Sequence, residues 1–223
     1  MNWEAVFLTF RLALFTVAIL LVVGLPLAYW LAFTRWRWKV LIEAVVALPL
    51  VLPPTVLGFY LLVGLGANSP VGKLYEWFSG HRLVFTFEAL LLASVLYSLP
   101  FAVQPFATAF ASVDRNLIEA AWTMGASSFK TFLWVILPLS AGGVITGMVL
   151  SFAHTLGEFG VVLMVGGNIP GATRTISIDI YDKVQALDYA GALQTSLFLF
   201  MVSFVVLSTV YAVNRRFQGM WLR

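Results

Sequence analysis

The sequence predicts an all-α membrane protein, a polytopic bundle of about five transmembrane helices, and three observations carry that expectation. The chain of 223 residues is 61% hydrophobic and only 10% charged, whereas soluble domains carry about 25% charged residues. Its apolar stretches recur from one end to the other and reach the ~20 residues that a helix needs to cross a bilayer. Lysine and arginine cluster unevenly in the connections between those stretches. Such a composition cannot be hidden in one water-soluble core, so lipid is the expected solvent and residues 1–223 are expected to form a single membrane domain.

The elements follow in order. No charge lies between Arg11 and Arg35, which predicts a first span over Leu12 to Phe33, bent near Gly24 and Pro26. It is read as a retained helix and not a signal peptide, because Thr34-Arg35-Trp36 follows it where small residues would mark cleavage. The uncharged run after Glu43 predicts a second span from Ala44 to about Leu65. Pro49, Pro53 and Pro54 should make its first half irregular. The third span is expected from about Phe87 to Phe110, the fourth from Phe132 to Leu156, and the fifth from Ala190 to Val213. The stretch Phe159 to Gly167 is apolar but short, covering roughly 13 Å at 1.5 Å per residue, and reads as a re-entrant or interfacial piece.

The basic residues set an expected orientation. Arg35, Arg37, Lys39, Arg115, Lys130, Arg215, Arg216 and Arg223 fall at one set of helix ends, and Arg11, Lys73, Arg82, Arg174 and Lys183 at the other. The richer set is expected in the cytoplasm, with Trp36 and Trp38 at headgroup level beside it. The N-terminus then lies outside and the C-terminus inside, which requires an odd number of spans.

The absence of cysteine excludes disulfides and thiol chemistry, and His81 and His154 are too far apart in sequence to suggest a metal set. Gly66-Ala-Asn-Ser-Pro-Val-Gly72-Lys73-Leu74 superficially resembles a phosphate loop. It has one residue too many between its glycines, however, and leucine where magnesium needs a hydroxyl, so no ATP site is expected. No catalytic residue, resident cofactor or nucleic-acid partner is expected.

The connection between the third and fourth spans, residues 112–130, is more than a linker. Asp114 is placed to cap a helix. Leu117, Ala120, Ala121 and Met124 then fall on one face at i, i+3, i+4 and i+7, and Gly125 can end the helix in a left-handed conformation. A second helix can start at Ser127 or Ser128 and run to Pro138. The pattern describes a small amphipathic knob on a glycine joint, suited either to the lipid surface or to another protein.

Glu119-Ala120-Ala121, Gly125 and then Ile136-x-Pro138 resemble the "EAA" loop of binding-protein-dependent ABC importer permeases. The resemblance implies a type I ABC importer permease architecture, similar to that of methionine importers. It implies a coupling helix with Asp114, Leu117, Glu119, Ala120, Ala121, Met124 and Gly125 as its ATPase-contacting or joint residues. It further implies a homodimer with two cytoplasmic ATPase subunits and a periplasmic or lipid-anchored substrate-binding protein, in the cytoplasmic membrane of a bacterium or archaeon. Leu48 to Gly58, Ser151 to Gly160 and Asn168 to Ile176 are similar to the molybdate branch of these permeases, and the second of these segments is shared with sulfate permeases. His154 stands where relatives commonly carry arginine. Molybdate, with tungstate, is therefore the implied cargo, and sulfate or another oxyanion is the alternative.

Further residues bear on the pathway. Gly143, Gly147, Ser151 and Thr155 repeat every four residues, a spacing that lets helices approach closely. Either the stripe is helix packing, or Ser151 and Thr155 offer hydroxyls to a passing anion. Glu158 would repel a dianion from a pore wall, so a structural role is expected, paired with Arg174 or backbone amides, with gating as the alternative. Glu43 and Glu88 read as interfacial charges. Arg174 and Lys183 can draw in an anion, dock an acidic lobe, or simply be solvated. A secondary transporter would need intramembrane ionisable relays or inverted repeats, and neither is evident. A mere scaffold gives no reason for the Glu119 to Gly125 pattern.

Overall fold

A computed structural model describes residues 1–221, with side chains over residues 1–212. Among these residues it is helical throughout, without strands. The basic side chains of Arg215, Arg216 and Arg223, used above for orientation, lie outside the described side chains.

Helix α1 runs from Trp3 to Phe33, nine residues earlier than expected. Asn2 caps it through a hydrogen bond from the Ala5 amide. Arg11 does not end the span, because its guanidinium lies 4.3 Å from the centre of the Phe87 ring, a cation–π contact that lets the charge sit on the helix surface. The second span is two helices, α2 (Lys39–Val51) and α3 (Pro54–Leu65), which meet at 114°. Leu52 is extended before Pro53, as the residue preceding a proline must be. The expected irregularity is thus a corner between two regular helices. A short helix, α4 (Pro70–Ser79), follows in a stretch expected to be loop. Gly72 packs so closely on the Gly66 carbonyl that a Cβ would lie 2.1 Å from its oxygen. The turn that resembles a phosphate loop is thus filled by its own backbone.

Helix α5 (Phe87–Ala111) matches expectation, and Pro100 and Pro105 are accommodated within it. The knob helix α6 spans Arg115–Thr123. Beyond it a continuous helical stretch, Ser128–Leu139, consists of α7 (Ser128–Thr131), a π-helical turn (Phe132–Ile136) and α8 (Leu137–Leu139). It meets α9 (Ala141–Gly157) at 76°. The apolar run expected as a fourth span from Phe132 to Leu156 is therefore a bent pair of helices. Pro138 supplies the reason: it cannot donate to the preceding turn, and a π-bulge absorbs the mismatch. The Ser140 hydroxyl then fixes the corner by donating to the Ala109 carbonyl at 3.0 Å.

The short helix α10 (Gly160–Gly166) is buried within the bundle, with Val161, Val162 and Val165 fully enclosed. Helix α11 (Ile176–Gln185) occupies part of the expected outer loop, and α12 (Tyr189–Trp221) forms the last long helix. Three of the described helices are long and apolar enough to cross a membrane, or five if each bent pair counts as one span. Helices α1, α5 and α9 pack against one another at the centre, α10 fills the space between α3 and α5, and α12 lies along α9 and α11. The main core joins Leu20, Ala28 and Leu31 of α1 to Val103, Phe106 and Phe110 of α5, and reaches Ile118 of α6.

Candidate functional site

The knob forms as its residues dictate. Asp114 Oδ1 accepts a hydrogen bond from the Asn116 amide at 2.9 Å, which satisfies a donor at the start of α6. At the other end Gly125 has φ +83°, a conformation that costs an L-residue about 1–2 kcal/mol. The Ala126 amide closes the turn on the Ala121 carbonyl at 3.0 Å. The Ser127 hydroxyl then caps α7 by accepting from the Lys130 amide at 3.3 Å.

The face expected to be a single docking stripe is divided. Ala121 turns inward with Ile118, both 5% exposed, and these two hold the knob to the bundle. Leu117, Glu119, Ala120, Trp122 and Met124 face outward, and Met124 is 82% exposed. A groove of about 250 Å³ beside the knob is lined by Arg35 from the end of α1 and by Arg115, Glu119 and Trp122. Arg35 and Arg115, two of the positions expected at one basic membrane face, thus line one groove. Phe129 and Trp134, at 71% and 80% exposed, extend the apolar surface past Gly125.

The small-residue stripe of α9 turns toward α5. A Cβ at Gly143 would fall 2.3 Å from the Ala109 Cβ, and one at Gly147 would fall 2.6 Å from the Phe106 ring. Ser151 and Thr155 are buried, and their hydroxyls donate to the carbonyls of Gly147 and Ser151, each one turn back, at 2.8 and 2.9 Å. Both hydroxyls are thus turned to the backbone of their own helix and enclosed.

Glu158 has other partners than those expected. Its carboxylate is buried between α5 and the end of α9. Ser94 Oγ donates to Oε2 at 2.5 Å and Ser98 Oγ to Oε1 at 3.0 Å. His154 Nδ1 lies 3.6 Å from Oε1 and 2.9 Å from Ser98 Oγ. Arg174 is elsewhere, with Nε donating to Asn168 at 2.7 Å and a 3.5 Å ion pair to Asp182. Lys183 likewise pairs with Asp179 at 2.6 Å. These two cations are therefore matched by carboxylates of their own helix-loop unit.

The residues that open to the surface between α5 and α9 are Gly143 of the stripe and residues beside it. Phe101, Gln104 and Thr108 of α5 and Gly143, Thr146 and Leu150 of α9 line a groove of about 490 Å³, which Leu50 of α2 borders. Gln104 and Thr108 are exposed in the half of a long apolar helix that lies nearer the knob. Polar side chains there are costly against lipid and belong on a wet or protein-covered surface. Gln104 and His154 were legible as polar residues inside apolar runs, a signal outweighed by the regular spacing of Ser151 and Thr155.

A model of the family described as binding-protein-dependent transport system inner membrane component matches residues 24–219. The chain is 52% identical over 215 residues, 96% of this chain and 95% of the relative, to the molybdenum transport system permease protein ModB of Azotobacter vinelandii. It is 33% identical to a probable sulfate transport system permease protein of Chlorella vulgaris, over 99% of this chain and 81% of that one. Its fold is that of an inward-facing methionine ABC transporter structure, with a TM-score of 0.68 at 18% identity over 97% of this chain and 94% of the other. With bent apolar spans, a small capped helix between two of them and a family match over most of its length, the chain belongs to the binding-protein-dependent transport system inner membrane components, the multi-pass permeases of ABC importers.

Proposed function

We propose that the chain is the membrane-spanning permease subunit of an ATP-driven importer that carries molybdate, and tungstate with it, across the cytoplasmic membrane. The observation that carries the proposal is the exposed knob Asp114 to Gly125, on a chain far more similar to the molybdenum permease than to the sulfate one. In this reading residues 1–223 are one membrane domain that functions as a homodimer. Each copy offers Leu117, Glu119, Ala120 and Met124 to one cytoplasmic ATPase. Asp114 and Gly125 shape the joint, and Ala121 anchors the knob to the bundle. The N-terminus lies outside and the C-terminus in the cytoplasm.

ATP is bound and hydrolysed by the partner. Its closure draws the two knobs together, and Ile118 passes the motion directly to the core around Phe106 and Phe110. The pathway opens outward to accept the oxyanion from a periplasmic or lipid-anchored binding protein, and hydrolysis returns it inward. The bistable element is the packing of the bent spans about α5, since packed cores switch between arrangements and do not deform continuously. The pathway must pass its cargo without holding it tightly, which suits the uncharged Gln104, Thr108 and Thr146 of the α5–α9 groove.

The test is the complex reconstituted with its ATPase and binding protein in liposomes. Molybdate and tungstate should stimulate ATP hydrolysis and enter the vesicles, with sulfate clearly weaker. Equal or stronger stimulation by sulfate would overturn the cargo. Uptake driven by an ion gradient without ATPase would overturn the mechanism.

A further inference from the structure

The polar cluster beside the groove has one open edge, and that edge belongs to His154. The ring is stacked on Phe101, with centroids 4.0 Å apart, and meets Tyr97 edge-on at 4.6 Å. Phe101 is itself a wall of the α5–α9 groove. Tyr97, Phe101, Gln104 and Thr108 share one face of α5 at i, i+4, i+7 and i+11, and Gly143, Thr146, Leu150 and His154 share one face of α9. His154 therefore stands at the end of the same furrow, on the side away from the knob.

The hydrogen bonds hold the ring by its inner nitrogen. Ser94 Oγ donates to Glu158 Oε2, and the Thr155 hydroxyl donates to the Ser151 carbonyl. The Ser98 hydroxyl sits between Glu158 Oε1 at 3.0 Å and His154 Nδ1 at 2.9 Å. Nε2 has no hydrogen-bond partner among the described residues, and 19% of the side-chain surface is open. Glu158, 1% open, lies behind the ring.

We propose that His154 contacts the translocated oxyanion, offering Nε2–H to an ion in the furrow while Ser98 and Glu158 hold the ring from behind. In that tautomer Nδ1 accepts from the Ser98 hydroxyl and the ring turns a donor toward the pathway. This explains how an acidic side chain can sit beside an anion path: it is enclosed behind the ring and does not face the ion. Glu158 and Ser98 are positioning residues in this arrangement, and Tyr97 and Phe101 set the plane of the ring. The inference rests on the importer reading above and adds the contact to it.

The chain has no cysteine, so His154→Cys places a unique thiol in it. In the reconstituted complex that thiol should react with a water-soluble cationic methanethiosulfonate, and molybdate delivered by the binding protein should slow the reaction. Uptake by His154→Leu should fall about tenfold, the loss of one charge-assisted hydrogen bond, with complex assembly unchanged. His154→Arg should keep most of the uptake, which a purely packing role would not allow in so close a stack. A thiol at 154 that stays unreactive throughout turnover, or His154→Leu uptake within about twofold of the parent, would overturn the contact. If the parent moves sulfate and not molybdate, the cargo falls, and protection of the thiol by sulfate decides His154 separately.

Discussion

The knob around α6 and the seam between α5 and α9 are built on opposite rules. At the seam every small side chain is used: Gly143 and Gly147 admit Ala109 and Phe106, and Ser94, Ser98, Ser151 and Thr155 are hydrogen-bonded and enclosed. At the knob two inward residues, Ile118 and Ala121, anchor a surface that leaves Leu117, Trp122 and Met124 about half exposed or more. The difference separates two tasks. The seam carries stability and constrains how α5 and α9 can move. The knob buries only Ile118 and Ala121 of α6, and its exposed apolar surface is the kind that marks a protein contact.

If that division is right, injuries to the knob should abolish coupling without unfolding the protein. Gly125→Trp combined with Glu119→Lys places a large L-residue at φ +83° and reverses a charge in the groove shared with Arg35 and Arg115. The expected outcome is loss of ATPase co-purification and a fall in molybdate uptake of more than about tenfold, the equivalent of ~1.4 kcal/mol in binding. Membrane insertion and detergent-phase thermal stability should stay near the parent's. Retained co-purification would break the comparison at its stronger arm.

The seam should respond the other way. Gly147→Leu drives a side chain into the Phe106 ring and the Ala102 carbonyl, which lie 2.6 and 3.0 Å from the position of a Cβ. Overpacking of this kind costs about 1–3 kcal/mol, so thermal unfolding in detergent should shift down by several degrees while α6 keeps its exposure. An unchanged melting curve would mean that the seam opens easily, and that its small residues serve motion in place of stability.

How far the two regions could be read from residues alone follows the same line. The knob was legible almost completely, because caps and joints are local: Asp114 accepts from an amide two residues on, and a glycine at a left-handed turn announces itself. Which of Ala120 and Ala121 faces in depends on where α6 docks against Ile136 and Phe110, and no helical period contains that information. The spans were legible by hydropathy, yet Pro138 could not be known to bend the fourth by 76°, since neighbours in lipid can absorb a proline without a corner. The partners of Glu158 were not legible. Ser94 and Ser98 lie about sixty residues away in sequence, and serine in an apolar helix commonly bonds its own backbone. Arg174 seemed the better partner on charge alone, and Asp182 had already claimed it.

The smallest expected effect sharpens the comparison most. Asp114→Ala removes the cap of α6, a loss of about 0.5–2 kcal/mol in helix stability, but no contact to the seam. In a soluble domain that energy would appear in the global unfolding curve. Here α6 is anchored through only two of its residues, Ile118 and Ala121, so the cost should stay local. Amide exchange in residues 115–118 should quicken severalfold, while that of α5 and α9 is unchanged. ATPase coupling should weaken only slightly, because Gly125 and the outward residues are intact. Exchange that quickened equally in α9 would show that the knob and the seam unfold as one unit, and the separation of tasks would then have to be abandoned.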